Sequence, residues 1–142
     1  MFRKEESKKL RQDFWIAFGK SYPRKWILYD TKIKGLLFRF HFDLKKAMVS
    51  MDVEHSDLGA RLALWEKIIS LRAILKDGFL PAAIFEDYFV LENGKEISRV
   101  HLVLNHVSIH DKNTWQETMI FLSENMNSFE NFFLEYQELL SN

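Results

Sequence analysis

The 142-residue chain is 47% hydrophobic and 15% aromatic, contains no cysteine and carries a net charge of zero at neutral pH. So many large apolar side chains exclude a disordered chain, and the length predicts a single domain over residues 1–142. Without cysteine, disulfides and Cys-ligated zinc or iron–sulfur sites are excluded. No stretch is long and apolar enough for a membrane helix and no signal peptide is visible, so we expect a soluble cytoplasmic protein.

The charges are unevenly distributed along the chain. Residues 1–34 contain ten Lys and Arg against four Asp and Glu, a net charge of +6, whereas residues 111–142 have a net charge of −5. Two interpretations are open. In the first, the basic start and the acidic end lie near each other or simply face solvent. In the second, the basic segment contacts phosphate. We favour the first interpretation, because the basic residues form no long uninterrupted run.

The first 35 residues predict a helix followed by an aromatic connection. Apolar residues four apart, such as Phe14 and Phe18, predict a helix over residues 5–20. Residues 21–35 contain too many aromatic and aliphatic side chains for a solvated linker. We expect their rings to be tucked beneath the surface, with a short strand at 26–30.

From residue 36 the apolar residues recur at every second position. This alternation predicts two half-buried strands, 36–42 and 47–53, on either side of a polar turn at 43–46. Two such strands around a short turn are typical of an antiparallel hairpin.

A second helix and a second hairpin follow. Ser56 is the expected N-cap of a helix that ends at Asp77-Gly78, and its wide apolar arc predicts packing on more than one side. Strands at about 82–91 and 97–105 flank an Asn93-Gly94 turn, which is the strongest short hairpin signal available.

The last element is a long amphipathic helix. Apolar residues are spaced by four and three in strict alternation from residue 115 to residue 140: Trp115, Met119, Leu122, Met126, Phe129, Phe133, Tyr136 and Leu140. This spacing predicts one helical stripe, continuous across Ser128 although bent there. We expect Thr114 to form a capping box with Glu117, with Asn113 or Asp111 as the alternative cap.

These elements predict an α+β fold of the order helix–hairpin–helix–hairpin–helix. The simplest assembly is a mainly antiparallel four-stranded sheet with three helices packed on one face. In this arrangement the last helix covers the apolar face of the sheet and shows only an acidic outer face to solvent.

Several of these patterns together resemble a known family. They are Phe14-Trp15, Phe38-x-Phe40-x-Phe42, Val49-x-Met51-x-Val53, the helix from Leu62 to Leu75, the strand around Arg99 to Leu104, and Trp115 in a Phe-rich last helix. On these motifs the chain resembles the bacterial domain-of-unknown-function family numbered 4268 over nearly its whole length. The family name implies no activity. Members stand alone or follow a nuclease-like domain, so the resemblance implies a link to nucleic-acid metabolism or defence.

The strand faces that point away from the helices carry the main candidate site. It consists of polar residues from both hairpins: Arg39, His41, Ser50, Asp52, Glu54, Arg99 and His101. Two His and two carboxylates could bind a divalent metal, or a His–carboxylate pair could serve as a general base. The alternative, which we favour, is a ladder of ion pairs between neighbouring strands on a solvated face.

No other pattern indicates a catalytic or cofactor site. His106 and His110 are four apart, but the segment between them is not clearly helical, so their spacing is weak evidence for zinc. The chain has no phosphate-binding Gly-rich loop, no Gly-x-Ser-x-Gly elbow and no Cys nucleophile. We therefore expect no cofactor and no metal.

Three hypotheses for function remain. The first, which we favour, is a non-enzymatic interaction or accessory module that forms a homodimer through exposed aromatic surface such as Trp15 or Trp26. The second is a nucleic-acid-binding protein linked to a nuclease-type partner, with Trp26 and Tyr29 available for stacking. Its basic residues would be Arg3, Lys4, Lys8, Lys9, Arg24 and Lys25. The third is a hydrolase in which Arg39, His41, Asp52 and His101 converge in a pocket.

Overall fold

The structure is a computed structural model that describes residues 3–142. Its elements in chain order are helix α1 (Lys4–Ser21), strands β1 (Leu36–Phe42) and β2 (Lys46–Val53), helices α2 (Leu58–Ser70) and α3 (Arg72–Gly78), strands β3 (Ile84–Val90) and β4 (Glu96–Asn105), a 3-10 turn (Lys112–Thr114) and helix α4 (Trp115–Ser141). The strands form one antiparallel sheet in the order β1-β2-β4-β3. The predicted α+β fold with a four-stranded antiparallel sheet is confirmed.

Both hairpin turns are formed by the residues that the sequence indicated. Asp43 accepts hydrogen bonds from the backbone N–H groups of Lys45 and Lys46 at 2.8 and 2.9 Å, which satisfies two donors in the first turn. In the second turn Gly94 has a φ of 86°, a conformation that a side chain would strain. The two turns pair β1 with β2 and β3 with β4, and the two hairpins meet through β2 and β4 in the centre of the sheet.

The apolar face of the sheet forms the core with α4. Side chains from three strands are buried there: Leu36, Phe38, Phe42, Ala47, Val49, Met51, Val53, Val100 and Leu102. The rings of Phe129 and Phe133 on α4 lie 5.9 and 5.7 Å from the ring of Phe38. All eight residues of the predicted α4 stripe belong to this core or pack against it. The helix is continuous across Ser128, as expected, and departs from helical geometry at Tyr136 instead.

The prediction of three helices is wrong, because the predicted middle helix is divided at Leu71. The hydroxyl of Ser70 donates to the carbonyl of Lys67, and the N–H of Leu71 reaches the carbonyl of Ile68 rather than one four residues back. A serine that bonds back to its own helix competes with the regular ladder. The domain therefore has four α-helices among its described residues.

Three local predictions also need correction. The N-cap of α2 is Asp57 rather than Ser56, since its carboxylate accepts from the N–H of Ala60 at 2.8 Å. Thr114 makes no capping bond to α4, because its hydroxyl is engaged with the carbonyls of Ser108 and Asp111. Residues 26–30 contain a turn at 28–29 and no strand.

Most apolar side chains of the aromatic connection pack against the core, whereas Tyr29 is exposed. Trp26 is half-buried, its ring lies 6.2 Å from that of Phe18, and the guanidinium of Arg24 lies 3.9 Å from the Trp26 ring centroid. Trp15 is half-buried against Phe14. Trp15 and Trp26 are therefore only partly exposed, and self-association through them, like the homodimer itself, stays a prediction.

The prediction that α4 shows only an acidic outer face to solvent is wrong, because Leu134 and Leu139 are 58% and 57% exposed. Conversely, the acidic Glu130 is buried. This side chain is only 3% exposed. Its carboxylate accepts a hydrogen bond from the backbone N–H of Ile27 at 2.7 Å and pairs with the guanidinium of Arg24. Glu130 thus fastens the aromatic connection to the last helix.

Candidate functional site

The candidate polar residues lie together on the sheet face opposite the core. The register places Ser50 on β2 between Arg39 on β1 and His101 on β4, and it places Asp52 opposite Arg99. Directly opposite side chains in an antiparallel pair lie about 4.5–5.5 Å apart. Side chains from three strands therefore meet on one surface.

Asp52 is the centre of this cluster. The side chain is 0% exposed, and Arg99 holds it with two hydrogen bonds, from Nε at 2.7 Å and from Nη2 at 2.9 Å. Arg39 donates to the same carboxylate from the neighbouring strand. Bidentate, charge-assisted bonds of this kind fix geometry strongly. Both carboxylate oxygens are therefore occupied by arginines.

The ion pairs continue outward from Asp52. Arg39 Nη2 lies 2.6 Å from a carboxylate oxygen of Glu54, and Lys95 Nζ lies 3.3 Å from the other oxygen. These contacts form a ladder of alternating charges across β1, β2 and β4, as the favoured interpretation predicts. Its centre is buried rather than solvated, so the pairs hold the strands in register with less screening by water.

A cleft with a volume of about 570 Å³ opens beside this ladder. Its lining residues come from all four strands and both hairpin turns: Arg39, Phe40, His41, Asp43, Lys46, Met48, Phe89, Val90, Leu91, Glu92, Asn93, Arg99, His101 and Val103. Phe89 lies on the guanidinium of Arg99, with 4.3 Å between Cζ and the ring centroid. The size and the mixed apolar and polar walls suit a small ligand or a few residues of a partner chain.

Three polar atoms near the cleft have no hydrogen-bond partner within the described part of the chain. They are Ser50 Oγ, His101 Nδ1 and Glu86 Oε2, contributed by β2, β4 and β3. Burial lowers the pKa of His101, and the nearby carboxylate of Glu86 only partly offsets this effect. His101 is therefore neutral at neutral pH and has an unused ring nitrogen. Buried polar atoms without partners are costly in a folded protein and mark a candidate site.

The lowered pKa of His101 predicts a pH-dependent stability. Above its ordinary pKa of about 6.5 the imidazole is neutral in both the folded and unfolded chain. As the pH falls below that value, the unfolded chain takes up the proton first, so the unfolding free energy should decrease. Urea titrations at pH 7 and pH 5.5 should show this decrease, and His101→Gln should reduce it. An equal decrease in the variant would contradict the assignment to His101.

The geometry does not suit a metal site. Within residues 3–142, no three His, Asp or Glu side chains are grouped so that they could hold a metal ion. His41 pairs with Asp43 at 2.7 Å at the rim, and His110 lies 2.7 Å from the hydroxyl of Ser7. Asp52, the most central carboxylate, is fully engaged with two arginines. The paired histidines and carboxylates of the sequence therefore do not converge as metal ligands.

Of the residues proposed for hydrolysis, Arg39, His41 and His101 line the cleft, and Asp52 lies beneath it. Sequence analysis did not include Phe89 in the site, because either face of its strand was consistent with the pattern. A register shift between Glu86 and Phe89 turns Phe89 toward Arg99.

The basic residues of the N-terminal third are only partly available. Arg3, Lys4, Lys8, Lys9 and Lys25 are exposed. Arg24 also has an exposed portion, but its guanidinium is engaged by Glu130 and Trp26. Arg24 is therefore a structural residue of the aromatic connection rather than a free cation.

Fold and cleft together define a small α+β domain with an ion-paired polar sheet face. The chain belongs to the family described as domain of unknown function (DUF4268), whose model matches residues 10–137. No curated protein and no solved structure matches the chain. None of the helices within residues 3–142 is long and apolar enough to cross a membrane.

Proposed function

We propose that this domain is a non-enzymatic interaction module that binds a short segment of a partner protein in the cleft. One observation carries the proposal: Arg39, Asp52 and Arg99 beside the cleft are paired with one another, whereas His101, which lines the cleft, has a ring nitrogen without a partner among residues 3–142. A cleft that combines apolar walls with a few polar groups is typical of a binding site.

The ion pairs also argue against catalysis. A general base needs a free lone pair within reach of the substrate, but both oxygens of Asp52 accept bonds from arginine. A serine nucleophile needs access, but Ser50 is 0% exposed and does not line the cleft. These two observations support binding over hydrolysis.

The lining indicates the chemistry of the segment. Apolar contact is available from Met48, Phe89 and Val103. Among residues 3–142, the sulfur of Met48, at 4.0 Å, is the only hydrogen-bond partner of Arg99 Nη1. A segment that places an apolar side chain beside a hydrogen-bond acceptor, such as a carboxylate or carbonyl oxygen, would satisfy both features. Cationic and anionic residues both line the cleft, so a highly charged segment is not required.

A peptide selection tests this proposal. A displayed library of random peptides is selected on the wild-type domain and on Val103→Trp, which places a large ring in the cleft. We expect peptides with an apolar residue beside Asp, Glu or a free carboxyl terminus to bind the wild type and to lose at least about tenfold in affinity on Val103→Trp, or about 1.4 kcal/mol.

The matched control is Leu139→Trp, which adds the same ring at an exposed position of α4. It should leave the affinity of the selected peptides unchanged. Failure to enrich any peptide, or equal binding to Val103→Trp, would remove the support for the cleft as a binding site. The thermal unfolding of both variants shows whether each of them is folded.

A further inference from the structure

A second surface, separate from the cleft, lies along α1. Lys4, Lys8, Arg11 and Trp15 are spaced by four, three and four residues. At about 100° per residue these four side chains fall within an arc of about 60° on the helix surface. The acidic residues of α1 lie outside this arc: Glu5, Glu6 and Asp13. The three cations are exposed and form no ion pair with any residue in the range 3–142.

Exposed and half-exposed aromatic rings continue this cationic stripe. A groove lined by Lys8, Arg11, Gln12, Trp15 and Ile16 runs along the helix. Trp15 also lines the next groove, together with Tyr29, which is 76% exposed. The two grooves therefore form one continuous surface in which cations are followed by aromatic rings. We call the surface formed by Lys4, Lys8, Arg11, Trp15 and Tyr29 the α1 surface.

The backbone around Tyr29 is held in place although it is strained. Leu28 has a φ of 45°, which an L-residue with a branched side chain rarely adopts. Its carbonyl accepts a hydrogen bond from the N–H of Phe38 on β1 at 3.0 Å. Strain of this kind persists only where surrounding contacts maintain it, and it is concentrated at functional sites. Here it presents the Tyr29 ring to solvent beside Trp15.

We propose that the α1 surface binds single-stranded nucleic acid. Lysines and an arginine without carboxylate partners attract the phosphate backbone, and aromatic rings accept stacked bases of any sequence. The stripe from Lys4 to Trp15 is about 17 Å long at about 1.5 Å per residue. This length matches about five phosphates at about 3.4 Å per nucleotide of a stacked strand. A duplex would keep its base faces away from Trp15 and Tyr29, so the aromatic end favours single strands.

The first test measures the contribution of the cations. Binding of a fluorescent oligo-dT or oligo-U of about 12 nucleotides, within the range of known single-strand sites, is followed by anisotropy at low salt. We expect Lys8→Ala/Arg11→Ala to weaken binding about tenfold and to reduce the slope of log affinity against log salt by about 1.4, as two lost phosphate contacts require.

The same helix provides a control with an identical change in charge. Lys9 and Lys20 are exposed and lie on the other side of α1, about 140–160° from Lys4. Lys9→Ala/Lys20→Ala should leave the affinity within about twofold. If both double variants weaken binding equally, the interaction depends on net charge alone and the proposal fails.

The second test measures stacking. Tyr29→Ala should weaken binding at least about fivefold, Tyr29→Phe should restore it, and Tyr88→Ala, at another exposed tyrosine, should have no effect. The proposal is overturned if the wild type binds no oligonucleotide at low salt. It is also overturned if polyglutamate or phosphatidylserine vesicles compete as well as the oligonucleotide does, since the surface would then recognise negative charge alone. Either failure leaves the peptide selection on Val103→Trp unaffected.

Discussion

Asp52→Ala should lower the free energy of unfolding by about 3–5 kcal/mol, because it leaves two arginines on the sheet face without their shared partner. Arg99 is 3% exposed and makes two of its hydrogen bonds to Asp52. When one member of a buried ion pair is removed, the desolvation free energy of the remaining charge is no longer offset by its partner. Arg39 is less affected, since it keeps its contact with Glu54 and part of its side chain reaches solvent.

Urea unfolding measures this effect, provided that the dependence on urea is similar in wild type and variant. Asp52→Asn separates charge from shape: it keeps the volume but loses the negative charge, so it should also destabilise the domain. Glu92→Ala removes an acidic residue from the exposed rim of the cleft and should change stability by less than about 0.5 kcal/mol. A loss below about 1 kcal/mol for Asp52→Ala would show that solvent already screens the pair.

Alternation within strands allowed the candidate site to be predicted in part. The period of two shows that Arg39 and His41 share one face of β1, and that Ser50 and Asp52 share one face of β2. The short turn between β1 and β2 predicts that these two strands pair as a hairpin. The pairing of β2 with β4 depends on long-range packing, and it is this pairing that brings Arg99 to Asp52. No local pattern contains that information.

The cleft itself was not predictable, for a related reason. Its wall at Phe89 depends on an irregular register between Glu86 and Phe89, where β3 departs from strict alternation. Without the irregularity, every second residue of β3 would face the same side. A bulge inserts a residue and changes which side chains face the partner strand. The sequence of β3 was consistent with either face, and only pairing with β4 determines the outcome.

The core was predicted more completely, because burial follows helical periodicity wherever the residue is apolar. The stripe of α4 correctly indicated Leu122, Met126 and Phe129. Helical periodicity did not predict the burial of Glu130, since a carboxylate is normally expected to face solvent. Two donors in the aromatic connection, from Arg24 and Ile27, satisfy this carboxylate and permit its burial. A single sequence does not reveal that partnership, because the residues are more than one hundred positions apart.

Glu130→Ala should therefore destabilise the domain by about 1.5–3 kcal/mol, the range for hydrogen bonds to a charged group. The Ile27 N–H would lose its acceptor, and Arg24 would lose its carboxylate partner. Part of Arg24 reaches solvent, which keeps the cost below that expected for Asp52→Ala. Urea unfolding measures the loss, and hydrogen exchange should show faster exchange of the Ile27 amide.

A control variant at another acidic residue of α4 tests whether the loss of stability in Glu130→Ala comes from the aromatic connection rather than from the helix itself. Glu124→Ala changes an exposed acid on α4 and should leave both stability and the exchange of the Ile27 amide nearly unchanged. Glu130→Gln keeps an acceptor oxygen for Ile27 but not the charge that pairs with Arg24, so its cost should lie between wild type and Glu130→Ala. If exchange at Ile27 stays slow in Glu130→Ala, the connection is held by its aromatic packing on Phe18 instead, and the carboxylate contributes little.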